Sequence, residues 1–188
     1  MSLGNLSLIV CIIWISSEIL LARLKHSSAK DSSLDKSSLR ILWITIVLSI
    51  SAGVALGFQS FGRIVFYSRA IFIAGLILIV VGLIIRWIAI ISLRYQFTVD
   101  VSISDNQNLI QEGLYRFIRH PAYAGSLISF FGLGLCFPNY LSFAIIFFPI
   151  LFAFLYRIRI EEKALYDRFG DRYAQYCKQT KKLIPKIY

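Results

Sequence analysis

The sequence predicts an all-α protein that passes several times through a membrane, and three observations predict it. First, 57% of its 188 residues are hydrophobic and only 16% are charged, with a mean hydropathy of +0.70, against about 45–50% and about 25% in ordinary globular domains. Second, Ala122 to Tyr156 contains no charged residue over 35 positions. Third, the 20 Lys and Arg residues are distributed unevenly among the segments between apolar runs. A water-soluble fold of this size has too little interior for so much apolar surface. This excludes a soluble enzyme, a disordered chain and a secreted disulfide scaffold, and the length suits one domain over residues 1–188.

A helix needs about 20 apolar residues to cross roughly 30 Å of hydrocarbon. Five segments qualify: Leu3–Leu24, Leu39–Phe58, Arg69–Leu93, Pro121–Phe137 and Asn139–Tyr156. The first has no basic residue before it and is too long for a signal-peptide core, so it reads as a span rather than a cleaved leader. His26 to Leu39 carries three Ser-Ser pairs among mixed charges, which reads as a solvated loop. On the second span Ser49, Gly53 and Gly57 form a stripe of small residues suited to close helix packing. Pro138-Asn139 breaks the uncharged stretch into a tight hairpin, and Pro149 is expected to kink the fifth span.

Counted outside the spans and at their extreme ends, Lys and Arg number five in the first loop, three in the third and nine in the tail, against two in the second loop and none at the N-terminus or in the fourth loop. Five spans put the first three groups on one side. The positive-inside rule then makes the N-terminus external and the helical C-terminal segment cytoplasmic. The net charge of +10 accordingly reads as orientation and attraction to anionic lipid, not to nucleic acid. Cys11, Cys136 and Cys177 have neither metal-ligand nor CxxC spacing, and no metal is expected. Glu18 and Arg86 are ionisable residues inside spans, each near the cytoplasmic end. They either face each other or, for Arg86, snorkel to the interface.

Polar chemistry gathers on the cytoplasmic side, in Tyr95–His120 and Arg157–Tyr188. Pro121 suits the first turn of a helix, so Arg119 and His120 fall at the mouth of the fourth span, with Tyr123 one turn on. Unpaired N–H groups and the positive helix end there favour a carboxylate or phosphate. An aromatic belt with Arg119 on headgroups is the alternative. Gly125 permits close approach of another helix or a ligand. Arg157-Ile-Arg159-Ile-Glu161-Glu162-Lys163 continues the fifth helix out of the membrane, with Arg157 and Glu161 on one face and Arg159 able to pair with Glu162. Two acidic residues at the lipid boundary suggest a cationic or hydroxyl-rich ligand, because a plain anchor uses cations only. In the tail, Gly170-Asp171 reads as a helix stop and a new N-cap. The basic, aromatic segment beyond lies along the membrane or covers the polar site, with Lys178, Lys181, Lys182 and Lys186 toward acidic headgroups.

These clusters resemble a known family. Gly113-x-Tyr115 precedes Arg119-His120-Pro121-x-Tyr123-x-Gly125, followed by Glu161-Glu162 and Leu165-(x)3-Phe169-Gly170-x-x-Tyr173-x-x-Tyr176. The pattern is similar to that of the integral-membrane isoprenylcysteine carboxyl methyltransferases and phospholipid methyltransferases, over roughly residues 93 to 185. The resemblance implies S-adenosylmethionine as cofactor. It implies cofactor contacts from Gln107, Asn108, Leu109, Ile110, Tyr115, His120, Pro121, Ala122, Tyr123 and Glu161, with Arg157 facing the methyl acceptor and Arg119 and Glu162 beside them. Asp100 stands where the prenylcysteine enzymes have glutamine, which bears on the acceptor.

The implied reaction is methyl transfer to a lipid-anchored acceptor, foremost the carboxylate of an isoprenylcysteine. That acceptor is already anionic at neutral pH. A phospholipid amine is the alternative, and it must first lose a proton to a base such as Glu162 or His120. A different class, the NADPH-dependent sterol-type membrane reductases, looks similar in its C-terminal helices, and a non-catalytic membrane scaffold is a further alternative.

Overall fold

A computed structural model of the chain describes residues 3–24, 36–93 and 109–188. The described residues form six helices: α1 (Leu3–Leu24), α2 (Lys36–Gly57), α3 (Arg69–Leu93), α4 (Pro121–Leu135), α5 (Tyr140–Phe169) and α6 (Asp171–Gln179), with a 3-10 turn at Gly113–Arg116. No strand occurs among them; two isolated bridges join Arg63 to Asn139 and Ile118 to Lys181. Among the described residues, three helices are long and apolar enough to cross a membrane: Ser37–Gly57, Arg69–Leu93 and Tyr140–Phe169. Asn5–Leu21 and Pro121–Leu135 are shorter apolar helices. At 15 residues α4 spans about 22 Å, less than the hydrocarbon thickness.

The element limits follow local chemistry. α3 has the predicted ends. α2 starts at Lys36, three residues before the expected Leu39, so Ser38 is part of a helix and not of a solvated loop. α4 stops at Leu135 rather than Phe137 because Cys136 N–H bonds back to both Gly132 O and Leu133 O, tightening the last turn. Asn139 then caps α5: its Oδ1 accepts from Leu141 N at 2.9 Å and Ser142 N at 3.2 Å. Its Nδ2 donates to Leu56 O and Phe61 O at 3.0 and 2.8 Å, fixing the turn against the end of α2. α5 remains helical through Pro149 and runs 30 residues. Its apolar part ends at Tyr156, and a charged extension, 157–169, follows. Gly170, at φ 50°, ends α5 and occupies the N-cap position of α6. Asp171 is therefore in the first turn of α6 and not its cap.

The bundle is held by two close pairs, α3 on α4 and α2 on α5. Gly82 and Gly125 face each other across α3 and α4, as do Gly75 and Gly132 two turns away. A Cβ at any of the four would run into the backbone of the other helix. Gly125 thus serves helix packing, one of the two roles its position allowed. The stripe on α2 does the same toward α5: a Cβ on Gly53 would strike Ile146, and Ser142 Oγ donates to Gly53 O at 2.6 Å. α1 packs more lightly, mainly on α3. These contacts bring the start of α4 beside the charged extension of α5.

Candidate active site

His120 occupies the N-cap position of α4 and Pro121 its first turn, as the sequence predicts. The 3-10 turn before it buries Tyr115. The segment from Ile118 runs parallel to the tail: Arg119 N–H donates to Lys181 O at 2.8 Å and His120 N–H to Lys182 O at 3.0 Å. α6 is fastened by Tyr176 Oη donating to Tyr115 O at 2.6 Å. Arg119 Nη1 also donates to Thr180 O at 2.5 Å. So the tail covers the polar site, the second of the two placements expected for it. Burial pushes the Tyr176 phenol up to about 12 and the Tyr115 phenol up as well.

Glu162 is the hub of this layer. Its Oε1 accepts from Arg119 Nε at 2.8 Å and lies 3.3 Å from His120 Nε2, while Oε2 is 3.1 Å from Lys182 Nζ. Burial works to raise its pKa, but the hydrogen bonds from His120 and Arg119, with Lys182 beside them, outweigh it and lower the carboxyl from 4.5 to about 2. Arg159, the partner the sequence suggested, is exposed. Lys182 turns inward to Glu162, away from the headgroups expected for it.

Glu161 lies on the other side of the His120 ring, facing Nδ1 where Glu162 faces Nε2. Its Oε2 accepts from Tyr123 Oη at 2.7 Å and lies 3.9 Å from His120 Nδ1. The His120 and Tyr123 rings stack at 5.6 Å with an interplanar angle of 8°. Tyr123 Oη in turn accepts from Arg157 Nε at 3.0 Å, and Arg157 Nη1 donates to Ser38 Oγ at 3.2 Å. Arg157 is 2% exposed. His120, Tyr123, Arg157, Glu161 and Glu162 therefore form one linked layer, as the two-cluster pattern requires. Arg119, Tyr115, Pro121 and Ala122 adjoin it. Leu109 and Ile110 are half-buried, and Ile110 packs against the Tyr115–Ala122 cluster. Asp100, Gln107 and Asn108 lie outside the described residues.

Glu18 and Arg86 do face each other. Arg86 Nε lies 2.7 Å from Glu18 Oε1, and Nη2 donates to Oε2 at 2.9 Å. Arg86 Nη1 donates to Ser126 Oγ at 2.8 Å, so the pair joins α1 and α3 to the first turns of α4. Below the polar layer a cavity of ≈ 220 Å³ opens between α1, α2, α4 and α5. Glu18, Arg86, Tyr123, Ser126 and Arg157 make its polar end, and apolar side chains make the rest. Tyr123 and Arg157 thus belong both to the polar layer and to the apolar cavity.

Sequence reasoning missed Ser38, Lys182 and the role of Glu18–Arg86 in the cavity wall. Ser38 had a weak signal, a serine just ahead of an apolar helix. Lys182 had none, because the tail carries other lysines of the same kind.

Residues 70–172 match the family described as phospholipid methyltransferase. The chain belongs to that family. It is 36% identical over 116 residues to protein-S-isoprenylcysteine O-methyltransferase A of Arabidopsis thaliana, covering 60% of this chain and 58% of that protein. It is 27% identical over 180 residues to the protein-S-isoprenylcysteine O-methyltransferase of Schizosaccharomyces pombe, covering 88% and 76% respectively. Among solved structures it is similar to the eukaryotic intramembrane Ras methyltransferase, isoprenylcysteine carboxyl methyltransferase, with a TM-score of 0.58 at 25% identity over 80% of this chain and 51% of that one. The chain spans a little over half the length of the Arabidopsis relative it matches. Family membership favours the methyltransferase reading over the reductase and scaffold alternatives.

Proposed function

We propose that the chain transfers methyl from S-adenosylmethionine to the carboxylate of a lipid-anchored, isoprenylcysteine-like acceptor. One observation carries the choice of acceptor. Each carboxylate described around the site is already engaged: Glu162 by Arg119, His120 and Lys182, Glu161 by Tyr123, and Glu18 by Arg86. A protonated amine would need a base such as Glu162 or His120; Glu162, held near a pKa of 2, is a poor one, and both ring nitrogens of His120 already face Glu161 and Glu162. A carboxylate needs no base. The guanidinium of Arg157, at the polar end of an otherwise apolar cavity, suits an anionic head on an apolar tail; the charge of Arg86 there is already met by Glu18.

The donor set also fits the cofactor. When bound, S-adenosylmethionine supplies an electrophilic methyl group on a sulfonium. Its carboxylate suits the amide-rich start of α4 beside His120, and its ammonium or ribose hydroxyls suit Glu161. Tyr115, Pro121, Ala122 and Tyr123, with Leu109, Ile110, Gln107 and Asn108, complete the binding side in this reading. Arg157 positions the acceptor from below, and Tyr123 keeps Arg157 and Glu161 in register. The Ile118–Lys181 pairing and α6 close the layer and exclude water, which strengthens each charge interaction inside.

We place the site at the cytoplasmic face of a five-pass protein, with the N-terminus outside and the whole chain acting as one methyltransferase unit. Water-soluble cofactor then reaches the polar layer from the cytosol, and the lipid acceptor reaches the cavity from the bilayer. The test is transfer of labelled methyl by the chain in nanodiscs to S-prenylated N-acetylcysteine and to phosphatidylethanolamine. Label in a base-labile methyl ester supports the reading; label only in the amine phospholipid overturns it.

A further inference from the structure

The apolar part of the cavity has a defined depth. On α2 its wall runs from Leu39 to Ile50, 11 residues apart or about 16 Å along the axis. Tyr123 and Arg157 stand at the polar end, since Arg157 reaches Ser38 one residue before Leu39. The deepest wall residues on α1 and α4 are Trp14 and Phe130, judged by their distance along each helix from Glu18 and Tyr123. These two rings touch edge to face, with centroids 5.0 Å apart at 63°, and each is only 6% exposed. Phe130 is backed by Phe154, 6.4 Å away. Trp14 is thus a large rigid side chain set across the cavity from the lightly packed helix α1.

We infer that Trp14, seated on Phe130, sets the length of apolar tail the acceptor can carry, so that the cavity selects acceptors by chain length as well as by head group. The inference rests on reading the cavity as the place of the acceptor's tail. With the head at Arg157, a tail extends along α2 toward Ile50 and meets the indole on the opposite wall. Chain atoms that pass the indole gain buried apolar surface; atoms that cannot pass must fold back or stay out. Truncating Trp14 joins the indole's space to the cavity, and enlarging Ile50 closes the far end, so the two changes act in opposite directions.

The test uses the full chain in nanodiscs with N-acetylcysteine thioethers carrying geranyl, farnesyl or geranylgeranyl chains. Two readouts are taken: kcat/KM for methyl transfer, and the rise in Tm that each thioether produces without cofactor. Trp14→Ala is expected to raise the geranylgeranyl-to-farnesyl ratio of kcat/KM by about tenfold, mainly through KM, as added methylenes in an apolar pocket do. Ile50→Phe lowers the same ratio, Trp14→Phe stays near the parent, and S-adenosylhomocysteine binds all three alike. A ratio unchanged in both Trp14→Ala and Ile50→Phe overturns the inference. If the thioethers are methylated but length preference never moves, the inference fails and the proposed activity stands. If none is methylated but the Tm series shifts as described, the activity fails and the length-setting role stands. Neither methylation nor a Tm response sinks both.

Discussion

Glu162→Gln removes the charge at the hub of the polar layer while keeping its shape. In the parent, the carboxyl, 15% exposed, is held near 2 instead of 4.5. A difference of about 2.5 units at 1.36 kcal/mol each is about 3 kcal/mol, and partial solvent screening brings it to about 2–3 kcal/mol. The folded pKa is depressed, so this contribution is complete above about 4.5 and is lost as pH falls through about 2. For a chain of this length that corresponds to a Tm lower by roughly 5–10 °C in the variant at neutral pH. The assay is apparent Tm in nanodiscs at one fixed scan rate, from pH 7 down to pH 2.5, for parent and variant. The gap is expected to narrow steadily below pH 4.5, because only the parent loses the carboxylate's contribution. A gap of the same size at pH 7 and pH 2.5 would refute the assignment of Glu162 as the charged joint between α4, α5 and the tail.

Other perturbations have equally direct outcomes. Arg86→Met leaves Glu18 in the cavity wall without its cation and should lower stability by about 3–5 kcal/mol; Glu18→Gln with Arg86→Met together should recover part of that loss in a double-mutant cycle on Tm. Gly82→Ala places a Cβ against the backbone of α4 at Ser129 N, 2.7 Å away. It should cost about 1–3 kcal/mol as the helices part, and an unchanged Tm would contradict the glycine-mediated contact. Asn139→Ala removes the α5 cap and the bonds to Leu56 and Phe61, for a loss of about 1–2 kcal/mol read from the same melts.

Much of this was legible in sequence, for identifiable reasons. The start of α3 coincides with Arg69, which opens an apolar run, so polarity alone locates it. Glu18 and Arg86 were conspicuous because charge is rare inside such runs, and rarity points to a partner. The α4 mouth was legible because proline after histidine states where a helix begins. The α2 start was not: Lys36 to Ser38 looks like loop composition, and it becomes helical because Ser38 is buried at 1% exposure under Arg157, 119 residues away in sequence. Lys182 was hidden for a related reason. Its partner Glu162 competes in sequence with the nearer Arg159, and only the backbone pairing of residues 118–120 with 181–182 decides between them.

The account depends on one ligand held jointly by the start of α4 and the extension of α5. Calorimetric titration of S-adenosylhomocysteine into the parent, Glu161→Gln and His120→Ala measures that directly. Losing a hydrogen bond to a charged group is worth about 1.5–3 kcal/mol. Both variants should therefore bind at least about tenfold more weakly than the parent while melting as folded proteins. No binding by the parent, or equal affinity in Glu161→Gln, would contradict it.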